Sequence, residues 1–403
     1  MSMSETDSRR PRIAFYWVLI AFFLMVVAGL LIAHWVTGQT PGRTAVHIAA
    51  LNFDIYWYGI WIVGGMALGA YVVSELARER ATAVFNQHIS PSTQQIPLSD
   101  LGLPEEIQTI LGKQKLHTVG DVLFRWGLDM RYLGLNAAGQ DKLRETLSPL
   151  LPEESDLLDD APWRVWDPDH VWNGMIVILI LAVIGARLYH ILTPSPSMAA
   201  VGINSPLDYF RHPAKLLDFR SGGLGIYGGM AGGALGLWLY TRRQRISMLA
   251  WADLAVIGLA LGQVYGRWGN YFNQELYGRP TNVPWAITID PIYRLPDYAE
   301  FSRFHPAFLY ESLWSLLTFF VLYTLLRRHS ARLLRGDLMA LYLIFYAVGR
   351  TLLETVRLDS RTVTLGGLEL NIAVATLVSL LVAAAMLIWI LVRHLRLKKG
   401  EGD

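Results

Sequence analysis

The chain contains no cysteine among its 403 residues. This absence excludes disulfide bonds, thiolate metal sites and a cysteine nucleophile supplied by the protein itself. Charge is also scarce, because Asp, Glu, Lys and Arg make up 17% of the chain whereas hydrophobic residues make up 53%. This composition is too apolar for an ordinary soluble enzyme of this length. The sequence therefore predicts an all-α polytopic membrane protein.

Long apolar runs recur along the chain, and about 20 such residues suffice to cross a bilayer as a helix. Clusters of Lys and Arg precede the first run and follow every second run. Under the positive-inside rule this alternation places both termini in the cytoplasm and the segments 38 to 51, 194 to 221, 269 to 307 and 357 to 369 outside. About eight transmembrane helices are predicted: 13 to 37, 52 to 77, 170 to 193, 222 to 241, 250 to 268, 308 to 327, 336 to 356 and 370 to 393.

The first run could be either a cleaved signal peptide or a retained anchor, since Arg9 and Arg10 precede it. Its apolar core of about 24 residues is longer than the 7 to 15 residues of a usual signal peptide. No small-x-small cleavage site follows Leu31. We therefore expect a retained anchor, and because it carries no Asp, Glu, Lys or Arg it is the span least suited to build a site.

Polar and charged residues are concentrated between Gly266 and Thr281, which read GRWGNYFNQELYGRPT beside a long apolar run. A charged side chain near the bilayer centre costs roughly 2.5 to 3.5 kcal/mol on insertion scales, so such a cluster favours a substrate pocket or polar pathway. Arg350, Glu354 and Arg357 follow at i, i+4 and i+7, which predicts that they project from one helix face. They can form an internal ion pair, but two arginines against one glutamate leave a positive excess that favours an anion.

Arg187 lies near the outer end of the third run, where it could also be an arginine that reaches to the interface. Taken with Arg267, Arg279 and Arg350, it predicts a phosphate-binding cavity near the outer leaflet. In the fourth run, glycines at 225, 229, 233 and at 228, 232, 236 form two stripes typical of close helix packing. Tyr227 lies among them as either an interfacial anchor or a pocket residue.

The segment from Gly266 to Gly278 closely resembles the signature of prolipoprotein diacylglyceryl transferases, bacterial enzymes that modify lipoprotein precursors. The resemblance covers roughly residues 50 to 80 and 165 to 395, with further motifs in the family's order. These are Tyr56-Trp57-Tyr58-Gly59, Gly185-Ala186-Arg187-Leu188-Tyr189, Gly222-Gly223-Leu224-Gly225-Ile226-Tyr227-Gly228-Gly229, His305-Pro306 with Leu309-Tyr310-Glu311, and Gly349-Arg350 with Glu354 and Arg357.

The resemblance implies transfer of an sn-1,2-diacylglyceryl group from phosphatidylglycerol to the lipobox cysteine of a preprolipoprotein signal peptide, with glycerol 1-phosphate leaving. It implies neither a cofactor nor a metal, and a bacterial inner-membrane location with the site toward the outer leaflet. Expected catalytic residues are Arg267 and Arg350 at the phosphate, with Tyr227 and Glu275 near the thiol. Expected substrate-binding or supporting residues are Tyr58, Arg187, Asn270, Asn273, Gly278, Arg279, Glu354, Arg357 and His305.

Some of these roles remain open at the level of sequence. Glu354 is expected to orient Arg350 rather than act as a base, and Gly278 to allow a tight turn. His305 is expected to have a capping or structural role before the helix that follows Pro306. Two other functions remain possible, a transporter or binding protein for an anionic lipid and a catalytically inactive scaffold.

Three features depart from the family pattern. Residues 13 to 37 form an additional leading helix, and Tyr227 replaces a histidine that is often proposed as a base. Residues 81 to 165 form a polar insertion with apolar residues at helical spacing and predicted breaks at Gly112 and Gly120. Leu116 to Leu123 resemble a helix-hairpin-helix unit, but acidic surroundings argue against nucleic acid, which leaves an unknown cytoplasmic protein as a candidate partner.

The sequence thus predicts a division into five regions. They are a tail with an additional anchor at 1 to 50, a first core helix at 51 to 80, the cytoplasmic insertion at 81 to 165, a transmembrane catalytic core at 166 to 395, and a cytoplasmic tail at 396 to 403.

Overall fold

The computed structural model describes residues 14–152, 156–194, 198, 202, 203, 205–211, 216, 223, 225–358, 362–365 and 368–400, with backbone alone for those within 362–375 and 398–400. Arg9, Arg10, Gly222, Leu224 and most of the predicted outer segment 194 to 221 lie outside these residues. The chain forms two compact units. The first unit combines Met1–Val72 with Leu249–Asp403, and the second is Val73–Met248.

Helices dominate the described residues. In chain order they are α1 Phe15–Thr37, α2 Trp57–His88, α3 Pro91–Gln94, α4 Glu105–Lys113, α5 Val119–Leu128, α6 Ala137–Leu147, α7 Asp169–Leu192, α8 Pro206–Arg211, α9 Ile226–Arg243, α10 Met248–Asn273, α11 Ala307–His329, α12 Asp337–Leu353 and α13 Val374–Gly400. Three short antiparallel hairpins join them: β1 Thr44–Ile48 with β2 Phe53–Tyr56, β3 Ile287–Thr288 with β4 Arg303–Phe304, and β5 Thr362–Leu365 with β6 Leu368–Ala373.

Six described segments are long and apolar enough to cross a membrane: Phe15–Thr37, Trp57–His88, Asp169–Leu192, Met248–Asn273, Ala307–Arg332 and Thr376–Leu397. The prediction of a helical, multi-pass membrane protein is confirmed. The two remaining predicted spans are also helical, but α9 and α12 have only 18 and 17 residues. The second span begins at Trp57 rather than at 52, because β2 occupies the preceding residues.

The additional leading helix α1 packs inside the first unit. Phe23 stacks on Tyr265 of α10 with ring centroids 3.7 Å apart, and the Tyr16 hydroxyl lies 2.7 Å from that of Tyr323 on α11. At the other end, Nε2 of the buried His34 accepts a hydrogen bond from the Thr288 amide at 3.0 Å. The helix α1 therefore makes specific contacts along α10 and α11 in addition to being apolar.

The helix α10 also contacts α2 at glycines within the first unit. A Cβ atom added at Gly65 would lie 2.9 Å from the Gly262 carbonyl oxygen, and one added at Gly69 would lie 2.5 Å from that of Gly258. Asp253 of α10 accepts backbone hydrogen bonds from Gly336 at 2.6 Å and Met339 at 2.9 Å, at the start of α12. These contacts fix the helix that carries Arg267.

In the second unit, α7 packs against α9 through one of the two predicted glycine stripes. A Cβ atom at Gly232 would contact the Leu181 carbonyl oxygen, and one at Gly236 would lie 2.8 Å from the Ile178 Cα. Gly228 approaches Gly185 in the same way. On the other stripe, Gly233 has room for a methyl group, because its nearest neighbour would be 3.7 Å away. The 228, 232, 236 stripe therefore makes the close backbone contact, and Gly225 of the other stripe also needs glycine, because an added Cβ atom would overlap the ring of Tyr189.

The insertion forms a hydrophobic core of its own within the second unit. Trp126 and Trp163 are fully buried, and their indole N–H groups donate to the carbonyl oxygens of Leu158 at 2.8 Å and Phe124 at 3.0 Å. Further buried members are Phe85, Leu98, Ile107, Leu111, Val119, Val122, Leu123, Leu133, Leu143 and Leu147. The predicted helical pattern of this region is therefore a packed core.

The predicted breaks at Gly112 and Gly120 correspond to one break between them, because these glycines are the second-last residue of α4 and the second residue of α5. The break is at Lys115, which has a positive φ of 60°. Thr118 and Asp121 then form a capping box at the start of α5. Burial opposes ionisation of Asp121, but backbone N–H groups of His117 and Thr118 outweigh it and hold its pKa below the usual value. The Asp121 carboxylate therefore accepts the hydrogen bonds of the backbone amides at the start of α5.

Candidate active site

Two arginines of the first unit share one carboxylate. Arg267, near the end of α10, forms an ion pair with Glu311 in which Nε lies 2.5 Å from Oε2, and Arg357 donates from Nη1 to Oε1 at 3.0 Å. Glu311 lies in the first turns of α11, and its side chain is 10% exposed. The buried carboxylate thus holds the two guanidinium groups in fixed positions.

Arg350 and Glu354 form a separate ion pair near the end of α12, with Nη1 of the arginine donating to Oε2 of the glutamate. Glu354 therefore contacts Arg350, as the i, i+4 spacing predicts. The expectation of a common helix face for Arg350, Glu354 and Arg357 is wrong, because α12 ends at Leu353. The chain turns there, and this turn directs Arg357 toward Glu311 instead.

Backbone hydrogen bonds join the segment after α12 to the signature segment. Gly278 forms an isolated antiparallel bridge with Arg357, and the Arg279 amide donates to the Val356 carbonyl at 2.8 Å. The Gly278 amide donates to the His305 carbonyl at 2.9 Å. Three distant parts of the sequence therefore meet at Gly278.

Gly278 was expected to allow a tight turn, but its φ is not positive. Glycine is required here by space instead, because an added Cβ atom would lie 2.7 Å from the Val356 carbonyl oxygen and 2.9 Å from the His305 Cβ atom. The turn lies a few residues earlier, at Gln274 and Leu276, whose φ angles are 50° and 53°. Two residues other than glycine thus hold the left-handed conformation, which suits sites where the surrounding structure fixes the backbone.

That turn brings Glu275 back onto the end of α10. Its Oε1 atom accepts hydrogen bonds from the side-chain amides of Asn270 at 2.9 Å and Asn273 at 3.1 Å. Gln274 is buried and fixes the turn by donating to Asp290 at 2.6 Å. Glu275 itself is exposed, so the two asparagines hold an accessible carboxylate in one orientation.

His305 precedes α11 and contacts its first turn. Its Nδ1 atom lies 3.0 Å from the Tyr310 hydroxyl oxygen, which also accepts the indole N–H of Trp285 at 2.7 Å. Burial lowers the pKa of His305 below the usual value, which favours the neutral ring. The His305 side chain does not cap α11, because the N-cap residue of that helix is Pro306. Its contacts fit the structural role that was expected.

Tyr58 lies in the first turn of α2 and packs against α10. A Cβ atom added at Gly269 would be 2.7 Å from its ring. Tyr58 and Asn273 also line an open cavity of about 1010 Å³ at this end of α2. This cavity borders the signature segment.

The predicted site residues Arg187 and Tyr227 belong to the second unit. Arg187 is 5% exposed and donates to the carbonyl oxygens of Leu216 at 2.9 Å and Gly223 at 3.0 Å. It therefore holds loop backbone and is not an arginine that reaches to the interface. Gly223 has a positive φ of 88° beside it. Tyr227 is half-exposed, with its ring centroid 5.8 Å from that of Tyr189.

Glu311 is the site residue that the sequence analysis missed. Its signal was present in the Leu309-Tyr310-Glu311 motif, but sequence spacing alone paired Arg350 and Arg357 with Glu354. Within the described residues there is no group of three or more His, Asp or Glu side chains that could hold a metal ion. The side chains of the site are guanidinium, carboxylate and amide groups.

Comparison with known proteins identifies the family of this arrangement. Residues 156–392 match the family profile of prolipoprotein diacylglyceryl transferase. A phosphatidylglycerol-prolipoprotein diacylglyceryl transferase of Frankia alni is 44% identical over 51% of this chain and 51% of its own length, so the match spans about half of that relative. Enzymes of the same name from Chloroflexus aggregans and Trichormus variabilis are 38% and 36% identical over 58% and 68% of this chain, and 78% and 90% of their own lengths. The chain belongs to the prolipoprotein diacylglyceryl transferase family.

Proposed function

We propose that this membrane transferase moves the sn-1,2-diacylglyceryl group of phosphatidylglycerol to the lipobox cysteine thiol of a preprolipoprotein. The relatives' names give the lipid donor and the protein acceptor. In this reaction a carbon–sulfur bond forms at the glyceryl carbon, and the bond from that carbon to the phosphate oxygen breaks. The phosphate oxygen keeps the bonding electron pair, and glycerol 1-phosphate leaves.

The observation that carries this proposal is the pair of arginines around Glu311. Negative charge grows on the leaving phosphate, and pre-positioned guanidinium groups in a site with little water stabilise that charge. Arg267 uses Nε for Glu311 within the described residues. The Nη groups of Arg267 are then available to the phosphate, and the Glu311 carboxylate fixes the orientation of the Arg267 guanidinium group.

Arg350 serves as the second phosphate ligand. Glu354 contacts it through one carboxylate oxygen, which supports an orienting role for Glu354 rather than proton transfer. Arg357 and Arg279 contribute to the local positive field near the bridge at Gly278. The excess of cations in this segment matches a substrate that carries a phosphodiester.

The attacking thiol must lose its proton, because a free cysteine with a pKa of about 8.5 is only a few per cent ionised at pH 7. Glu275 is the candidate acceptor in the first unit. Both asparagine amides bind its Oε1 atom, which leaves Oε2 to take the proton. The positive field of the arginines lowers the thiol pKa as well.

Tyr227 takes the position at which the family's histidine is often proposed as a base. We assign it to orientation of the thiol or to relay of its proton, since its half-exposed ring is accessible to a substrate. Tyr58, Asn270 and Asn273 line or support the lipid site. Arg187 supports it through the loop backbone that it binds.

The distribution of basic clusters supports an inner-membrane enzyme with cytoplasmic termini and its site toward the outer leaflet. In that arrangement the insertion is cytoplasmic and needs no role in the chemistry. Its surface is then available to a cytoplasmic protein, while the carboxylate of Asp121 at the start of α5 disfavours nucleic acid.

Complementation tests this function in cells. A bacterium depleted of its own diacylglyceryl transferase should grow and lipidate a lipobox reporter when it expresses this protein. Arg267→Ala and Arg350→Ala should each abolish lipidation at wild-type membrane abundance, and the lysine variants should recover little because a point charge lacks the planar fork. The exposed Arg303→Ala variant provides the matched control. Near-normal lipidation in either alanine variant would remove that arginine from the chemistry.

A further inference from the structure

An open cavity lies at the N-terminal end of α2, where a membrane-spanning helix meets the β1–β2 hairpin. Its volume is about 1010 Å³. Apolar residues of the hairpin and of the first turns of α2 line it, among them Phe53, Ile60 and Val63. These three side chains are exposed, so they present an apolar surface without a partner among the described residues.

Arg43 lies at the polar end of this cavity, together with Asn273 of the signature segment. Its Nη2 atom donates to the Asn273 carbonyl oxygen at 2.5 Å, and its guanidinium carbon lies 3.7 Å from the centre of the Tyr293 ring. The carbonyl of Tyr293 in turn accepts the Tyr277 hydroxyl at 3.1 Å. The guanidinium group is therefore fixed in place before any ligand binds.

No carboxylate neutralises Arg43 within the part of the chain that the structure describes. The acidic residue of the cavity, Asp54, instead contacts His47, whose Nδ1 atom lies 2.8 Å from its Oδ1 atom. The Nε atom of Arg43 is buried without a hydrogen-bond partner, and Nη1 makes no hydrogen bond among the described residues. A partly buried guanidinium group without a counter-ion favours an anionic ligand.

We propose that Arg43 binds the phosphodiester of the lipid substrate, while the apolar face of α2 in this cavity contacts its acyl chains. An anionic phospholipid carries both features, a charged head and apolar tails, and the cavity presents one cation beside an apolar helix face. The hydrophobic segment of a signal peptide would fit the apolar part but offers no anion to Arg43. This inference rests on the proposed function and adds a substrate-binding residue to it.

Steady-state kinetics with each substrate varied in turn tests this assignment. The wild type, Arg43→Gln and Arg43→Lys are compared in mixed micelles of phosphatidylglycerol with a lipobox peptide. Arg294→Gln is the matched control, because Arg294 also donates to backbone carbonyl oxygens, those of Ile289 and Ala299, but does not line the cavity.

Arg43→Gln should raise the apparent KM for phosphatidylglycerol about tenfold, which corresponds to about 1.4 kcal/mol. Both kcat and the KM for the peptide should stay within twofold of normal. Arg43→Lys should give a rise of about threefold, and the control should match the wild type. If the glutamine variant fails to fold, a severalfold rise in the lysine variant supports the assignment and an unchanged KM overturns it.

Two other results would also overturn the assignment. An unchanged KM for phosphatidylglycerol in folded Arg43→Gln would remove Arg43 from lipid binding. A rise confined to the KM for the peptide would show that the cavity binds the signal peptide. Absence of turnover in the wild type would refute the proposed function instead, and native mass spectrometry of bound phosphatidylglycerol in wild type and Arg43→Gln would then decide the role of Arg43.

Discussion

At the scale of residues, the Glu311 side chain on α11 contacts both Arg267 and Arg357. Arg357 and Glu354 are close in sequence, yet Arg357 contacts Glu311, which lies on α11. An i, i+4 or i+7 relation places side chains together only while the helix continues, and α12 ends at Leu353. Arg357 therefore pairs with Glu311 rather than sharing Glu354 with Arg350.

Glu311→Gln tests this organisation. The amide retains one acceptor but lacks the charge that balances Arg267 and Arg357, and breaking a buried ion pair costs about 3 to 5 kcal/mol. We expect at least a 100-fold loss of transfer and a lower Tm in detergent. The exposed Glu300→Gln variant serves as the control for loss of an acidic charge in the same unit. Normal turnover in Glu311→Gln would show that neither arginine depends on this carboxylate.

Tyr227 tests the departure from the family pattern. Tyr227→Phe should reduce kcat, because the ring keeps its contact with Tyr189 but loses the hydroxyl. Tyr227→His should retain activity, since an imidazole near the thiol can also accept or relay a proton. The rates of both variants are compared at saturating peptide and lipid. Full activity of the phenylalanine variant would make the hydroxyl dispensable and assign proton transfer to Glu275.

At the scale of elements, the length of the apolar runs predicts the membrane-spanning helices. It does not predict the hairpin and the turn that position the side chains of the site. The hairpin β1–β2 and the turn at Gln274 and Leu276 leave little trace in a hydrophobic pattern. The sequence predicts glycine at position 278 because of a tight turn. Glycine is needed there for lack of space instead, because Val356 and His305, which are distant in sequence, lie close to its Cα atom. Contacts of this kind depend on tertiary packing.

The contact between α7 and α9 gives a prediction with an internal control. Gly232→Ala places a methyl group against the Leu181 carbonyl oxygen, which is backbone and cannot move aside easily. Overpacking of this kind costs about 1 to 3 kcal/mol, so we expect a Tm several degrees lower. Gly233→Ala, on the neighbouring stripe, has space for its methyl group and should leave the Tm unchanged. Equal Tm values for the two variants would contradict the assigned contact.

At the scale of the whole molecule, the family match covers residues 156–392, whereas α1 and nearly all of the predicted insertion precede it. The sequence predicts that α1 is a retained anchor and the span least suited to build a site, and its aromatic residues contact α10 and α11. Such pairing was not predictable, because an apolar helix can face lipid or protein with the same composition. The insertion was recognised as a helical module because its apolar residues follow a helical period, and they form its core.

Replacing residues about 85 to 160 with a short Gly/Ser linker should leave transfer within a few-fold of normal. In the proposed topology a hydrocarbon core of about 30 Å separates the insertion from the reaction. Trp163 packs against Phe85, so the deletion would expose its indole ring to solvent. The linker variant should therefore also carry Trp163→Gln. Transfer per folded molecule is measured against the full chain. A folded but inactive variant would contradict this topology and indicate a cytoplasmic gate.

The central claim is that the arginine site catalyses covalent transfer from phosphatidylglycerol to a lipobox thiol. Mass spectrometry of a lipobox peptide incubated with the purified protein and phosphatidylglycerol tests it directly. The peptide should gain the mass of one diacylglyceryl group on its cysteine, with an equal amount of glycerol phosphate released. A cysteine-to-serine peptide and the Arg267→Ala protein should give no product. Lipid binding by the wild type without any modified peptide would contradict the claim and leave an anionic-lipid binding protein in its place.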